Sequence, residues 1–227
     1  MPLIGRKPIG TIAYMGGVPA VLEEFCWSWG QLIQFNCEQI ESPQSLIHYD
    51  RAKYSDHAPA RNSLVRNMHG GWLLQLDTDH QFEPDLLARI LRLYRETGAR
   101  VISGLYRFKK PPYAPVAFGG ENGTPVLEWA PGLELFEITG AGAGCLFAER
   151  SVFDEIQAKC KCEPFDRMPS TSEDHSFFRR CKECGIKTYL APNIEFDHLI
   201  VTPVTSQMFD GDLLTSQRSE VGGFSNG

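Results

Sequence analysis

The residues best suited to chemistry are Asp77 and Asp79, in the run Leu73-Leu74-Gln75-Leu76-Asp77-Thr78-Asp79-His80. An apolar strand ends there in two carboxylates at i and i+2. In an extended chain end that spacing lets both acids approach one hard divalent cation, and such an ion can also hold a diphosphate. In open parallel sheets, ligands bind at the C-terminal edge of the strands, which is where this pair falls. The plainer reading of a D-x-D is a polar turn after a strand.

Other chemistry is spread along the chain. Glu173 and Asp174 follow Ser172, a good N-cap, so they fall in the first turn of a helix. The macrodipole favours an ionised carboxylate there by about 0.3–1 kcal/mol. Such a carboxylate can take a proton from an attacking hydroxyl, or it can simply satisfy the helix end. Arg61 suits a bidentate grip on a diphosphate, or it is one more solvated arginine. Tyr14 and Asp50, at the ends of the first two strands, suit the framing of a nucleobase, with the carboxylate accepting an N–H. Cys160-x-Cys162 and Cys181-x-x-Cys184 stand 18 residues apart, near the spacing of a four-thiolate structural zinc site. Phe177, Cys181 and Cys184 also share one helical face, and buried thiols packing on Phe177 explain that pattern without metal.

Elements must hold these groups. Ile9–Tyr14, Ser45–Tyr49, Trp72–Leu76 and Arg100–Ser103 read as strands, the third buried on both faces. Between them, Pro19 opens a helix with Leu22, Phe25, Cys26, Trp29 and Ile33 on its inner face. A second helix runs from about Ala60 to Met68. A third follows Pro84, with Leu87, Ile90, Leu91 and Tyr94 inward and Gly98 at its end. That alternation predicts an α/β fold with an open, mostly parallel sheet and helices on both faces. Short runs at Val116–Phe118, Pro125–Trp129 and Leu133–Ile138 predict a small antiparallel patch. Gly140–Phe147, a helix from Ser151, a helix from Ser172 to Gly185 and a strand over Tyr189–Phe196 complete the series.

At this point the sequence resembles the GT-A-fold glycosyltransferases, the family 2 type especially, and among them the short single-domain bacterial and phage members. The D-T-D matches their metal-binding D-x-D. Ala60-Arg61-Asn62 is similar to their A-R-N segment, Gly140–Phe147 with Arg150-Ser151-Val152-Phe153 to their glycine-rich acceptor-side strand and helix, and Glu173-Asp174 to their E-D motif. The resemblance implies Mn2+ or Mg2+ on Asp79, Asp77 and a late histidine, His198, though a lone histidine at a strand end is commonly structural. It implies Asp174 as catalytic base, Glu173 as its neighbour on the acceptor, and a nucleoside-diphosphate sugar as donor, bound by Tyr14, Asp50, Arg61 and Asp77. The acceptor is a glycan, a lipid-linked or another hydroxyl compound. Transfer is expected to be inverting. The expected domain spans 1–201, with a nucleotide-sugar half over 9–104 and an acceptor half over 105–201. The tail from Thr202 to Gly227 is expected to be either a flexible arm or a lid over the site.

Composition narrows the classes. The 227 residues carry 22 cations against 28 acids, a net charge of −6, which disfavours nucleic acid as partner because counterion release needs surplus cations. No apolar run reaches the ~20 residues of a membrane span. Seven cysteines, an odd number, fit a reducing, cytoplasmic setting better than a disulfide framework. Two alternatives remain at this level. A nucleotidyltransferase of similar fold would need basic partners after the first strand, which Met15-Gly16-Gly17-Val18 lacks. A zinc-stabilised binding module would reduce the D-T-D to a turn.

Overall fold

Five-residue apolar strands and amphipathic helices alternate through the first hundred residues, and the computed structural model, which describes residues 7–16, 21–39, 46–54, 56–120 and 123–200, follows that alternation. β1 (Gly10–Tyr14), α1 (Glu23–Gln39), β2 (Ile47–Arg51), α2 (His57–Asn67), β3 (Trp72–Leu76), β4 (His80–Gln81), α3 (Leu86–Thr97) and β5 (Val101–Leu105) come first. β6 (Ala117–Gly119), β7 (Thr124–Pro125), β8 (Phe136–Ile138), β9 (Gly140–Ala141), β10 (Cys145–Glu149), α4 (Arg150–Cys160), α5 (Glu173–Cys184), β11 (Thr188–Glu195) and β12 (Asp197–His198) follow.

The main sheet has seven strands in the order β2-β1-β3-β10-β5-β11-β8. β1 pairs parallel with β2 and β3, and β11 with β5, whereas β10 is antiparallel to both β3 and β5, and β8 to β11. All five positions of β3 and of β5 are buried, as the continuous apolar runs require. One face carries α1 and α3, where Phe25, Leu32, Leu87 and Ile90 meet Ile12, Leu74 and Phe147. The other carries α2, α4 and α5, where Leu64, Phe153 and Phe177 meet Leu73, Val101 and Leu146. The predicted α/β architecture is therefore correct. β6, β7 and β9 form the small antiparallel patch, and β4 pairs with β12.

Several boundaries differ from expectation for local reasons. The inner stripe of α1 is Phe25, Ser28, Leu32 and Asn36, so Cys26 is exposed and Ile33 only half-buried. Polar groups occupy that stripe because they have partners: Ser28 Oγ accepts the Phe82 N–H at 3.3 Å, and Asn36 donates to the Tyr49 hydroxyl at 3.3 Å. α2 starts at His57, three residues early, because Pro59 sits in the first turn, where a missing N–H costs nothing. β8 joins the edge of the main sheet rather than the patch. α3 and α5 end as expected at Gly98 and Gly185, both left-handed with φ of 70° and 75°. The predicted helix start at Pro19 and the tail from Thr202 lie outside the described residues.

Candidate active site

β3 delivers Asp77 to the C-terminal edge of the sheet, where its N–H donates to the Gly144 carbonyl at 2.9 Å. Both Asp77 oxygens accept from Arg61 Nη2, at 3.0 and 3.2 Å. Arg61, on α2, is 2% exposed and gives its other donors to the Ala143 carbonyl (3.0 Å), Gln75 (3.4 Å) and Glu173 (3.4 Å). It is thus not a solvated arginine, and protein acceptors occupy the fork that was expected to grip a diphosphate. Burial alone lowers the pKa of this guanidinium; Asp77 and Glu173 outweigh it, and the group ends above its ordinary value.

α5 brings the E-D pair to the same edge with two different exposures. Glu173 is buried against Arg61, and its Oε1 lies 3.4 Å from Arg61 Nε and 3.6 Å from His57 Nδ1. Asp174 is half-buried, and its Oδ1 accepts the His175 N–H at 2.7 Å and the Ser172 hydroxyl. Ser172 occupies the N-cap position, but its hydroxyl serves Asp174 instead of the helix backbone.

The strongest cluster of ligating atoms lies just beyond the turn at Thr78. Asp79, His80 and His198 each place a ligating atom within 4.8 Å of the others, and they form the one such group among the described residues. The β4–β12 pairing sets His198 opposite His80, and the Leu199 N–H closes onto the Asp79 carbonyl at 2.8 Å. His198 Nδ1 meets the Arg107 carbonyl at 2.7 Å. A carbonyl only accepts, so Nδ1 donates there, and Nε2 lies 3.4 Å from Asp79 Oδ2. His80 is 1% exposed, stacked on His198 at 4.5 Å and edge-on to Tyr106 at 4.5 Å.

Neither nitrogen of His80 has a hydrogen bond, and neither does Asp79 Oδ1, although His80 Nδ1 approaches that oxygen to 3.1 Å. Buried polar atoms left without partners are costly. One carboxylate and two imidazoles with free lone pairs fit a first-row divalent cation, which would satisfy them together. Asp79 Oδ2 accepts from Lys109 Nζ at 2.7 Å. Burial pushes the Asp79 carboxyl up, but His198, His80 and Lys109 overcome it and hold the group well below the usual carboxylate range.

Of the three expected metal ligands, the structure therefore brings Asp79 and His198 together and turns Asp77 to Arg61. His80, not Asp77, lies with Asp79 and His198. Its position directly after the D-T-D was visible, but strand alternation would point it away from Asp79; the turn at Thr78 and Asp79 makes the two converge. The glycines of the 140–144 run work by close packing. A Cβ on Gly144 would lie 2.5 Å from His80 Cε1, and one on Gly142 would lie 1.8 Å from the Tyr106 hydroxyl. That hydroxyl accepts the Gly144 N–H at 3.2 Å.

The remaining candidates scatter. Tyr14 packs edge-on to Phe25 and Trp29 on the α1 face. Asp50 is in register with Ala13, one residue before Tyr14, so the two side chains point to opposite faces of the sheet and do not frame one base together. Asn62 of the A-R-N segment pins the loop before α5, donating to Asp166 at 3.0 Å and accepting the Phe165 N–H at 2.9 Å. The possible zinc site does not assemble: Cys160, Cys162, Cys181 and Cys184 form no group of metal-holding spacing among the described residues. Cys181 is buried in the core with Phe177, the packing explanation, and Cys160 ends α4 beside Glu183.

The model for the glycosyl transferase family 2 matches residues 34–118, a span that holds Arg61, the D-T-D, His80 and Lys109. Two glycosyltransferase structures share the fold. A crystal structure of GalNAc-T7 with UDP, GalNAc and Mn2+ superposes with a TM-score of 0.56 over 93% of this chain and 48% of its own, at 12% identity. S. aureus TarS (1–349) superposes with a TM-score of 0.51 over 83% of this chain and 60% of its own, at 9% identity. The chain has the GT-A fold of these two structures, and its residues 34–118 match the family 2 model. It spans about half and three fifths of those two longer chains. No curated protein matches the sequence. No described helix of the GT-A domain is long and apolar enough to cross a membrane.

Proposed function

We propose that the GT-A domain is a metal-dependent, inverting glycosyltransferase that moves a sugar from a nucleoside-diphosphate donor to an acceptor hydroxyl. The observation that carries this is the Asp79–His80–His198 group, with unpartnered ligating atoms, at the edge where open α/β sheets bind nucleotides. A divalent cation bound there would neutralise the departing diphosphate. Mn2+ accompanies UDP and GalNAc in the GalNAc-T7 structure, which makes manganese and uridine nucleotides the first probes.

The chain's own groups divide the remaining work. Arg61 fixes Asp77, β3 and α5 in one frame and does not touch the donor. Asp174, with one oxygen free of hydrogen bonds to the protein, takes the proton of the acceptor hydroxyl as it attacks the anomeric carbon. Glu173 holds Arg61 and so places Asp174. Residues up to about 104 serve the donor, joined by His198 in the metal group, and most later ones serve the acceptor, which we take to be a glycan, a lipid-linked or another hydroxyl compound.

Two variants test this. Asp79→Ala is expected to lose Mn2+-dependent binding of nucleoside diphosphate in calorimetry while keeping its circular dichroism. Asp174→Asn is expected to keep that binding and to lower turnover of a nucleotide-sugar panel by about 10²–10⁴. Full activity in either variant overturns its assignment.

A further inference from the structure

Arg107, Phe108, Lys109 and Lys110 concentrate three cations in four residues of a chain with net charge −6. They lead into a loop that borders the metal-binding group. Lys109 Nζ reaches Asp79 Oδ2 at 2.7 Å, the oxygen that also faces His198 Nε2. A cleft of about 370 Å³ opens beside them, lined by Phe108, Lys109, Lys110, Pro111, Pro112 and His198. Arg107 is turned away, 3.7 Å from Glu195.

Lys109 and a divalent cation seek the same carboxylate. Lys109 holds Oδ2 while Oδ1 has no partner, and a cation on the same carboxylate would stand close enough to the ammonium to repel it strongly, so each weakens the other's hold on Asp79. The four-carbon stem of lysine lets the ammonium move while its backbone stays in place. The Phe108 N–H to Ala114 carbonyl bond, 3.0 Å, anchors the loop there. An ammonium displaced by the cation stays within its own length of the site, and the anion delivered with the cation is its natural partner.

We infer that Lys109 is a phosphate-binding residue held in reserve: it neutralises Asp79 when no cation is bound and transfers to the diphosphate of the donor when one is. This rests on the proposed metal-dependent reading of the site. It predicts opposite effects on two ligands from one substitution, which a merely structural lysine would not produce.

The probes are Mn2+ alone, followed by loss of the free-ion signal in electron paramagnetic resonance, and preformed manganese pyrophosphate, followed by calorimetry. Lys109→Met is expected to bind Mn2+ alone about tenfold tighter and manganese pyrophosphate about tenfold weaker than the unsubstituted chain. Lys110→Met, which lacks the Asp79 contact, is expected to leave Mn2+ alone unchanged. Equal affinities in Lys109→Met, weaker binding of Mn2+ alone, or a Lys110→Met that reproduces the same pattern would each overturn the inference and leave the metal reading intact. An unsubstituted chain that binds no Mn2+ overturns both.

Discussion

Arg61 holds more of the site together than any other single residue. It is buried, and its five contacts join α2, β3, the glycine run and α5. Removing one partner of a buried ion pair leaves the other charge uncompensated, which costs about 3–5 kcal/mol. Arg61→Met keeps the length and the apolar stem, so the cost isolates the charge. Urea denaturation is expected to show a loss of that size. A loss under about 1 kcal/mol would mean that Glu173 is rehydrated through the His57 side. The sequence marked Arg61 but not its protein partners, because nothing linear shows that Gln75, Ala143 and Glu173 converge on it. The placement of Asp79 at a strand end and of Asp174 in the first turn of a helix was legible because strand ends and helix N-termini are themselves readable. That His80 converges on Asp79 and His198 was not, since a two-residue turn redirects it.

At the scale of elements, the glycine run and β4–β12 form one packed unit around Tyr106 and His80. Gly144→Ala is expected to displace the His80 ring, since its Cβ would stand 2.5 Å from Cε1. Overpacking of this kind costs about 1–3 kcal/mol. The variant should therefore melt earlier and also bind Mn2+ more weakly, and a variant with lowered stability but unchanged Mn2+ affinity would separate His80 from the metal group. Periodicity found every long element here, because β3, α3 and α5 carry unmixed patterns with clear caps. It misjudged α1, where buried Ser28 and Asn36 stand on the inner stripe and apolar Cys26 does not. Hydrogen bonds to partners distant in sequence decided that stripe, and such partners are invisible to a local window.

For the molecule as a whole, the cysteines report how tightly the sheet is closed. Cys26 and Cys37 are exposed, whereas Cys145 and Cys181 are buried on opposite faces of the sheet. Burial pushes the Cys145 thiol up to about 12 and raises Cys181 as well, so neither forms a reactive thiolate at neutral pH. Iodoacetamide at pH 8, read by peptide mass spectrometry, is expected to label Cys26 and Cys37 and to spare Cys145 and Cys181 until denaturant is added. Labelling of Cys145 in the native protein would mean that the centre of the sheet opens on its own.

That centre is closed by β10, which lies between β3 and β5 although it comes after both in the chain. Its pairs with β3 join residues 69 to 77 positions apart, from Leu76–Cys145 to Trp72–Glu149. During synthesis, β3 and β5 therefore leave the ribosome well before the strand that joins them. Through that interval each presents an open, largely apolar strand edge that another nascent chain can pair with. Any shortened product that ends before Glu149 keeps those edges permanently, so early termination yields an insoluble fragment rather than a working donor-binding half. The order in which the strands are made, not their individual strength, sets how the domain must be expressed.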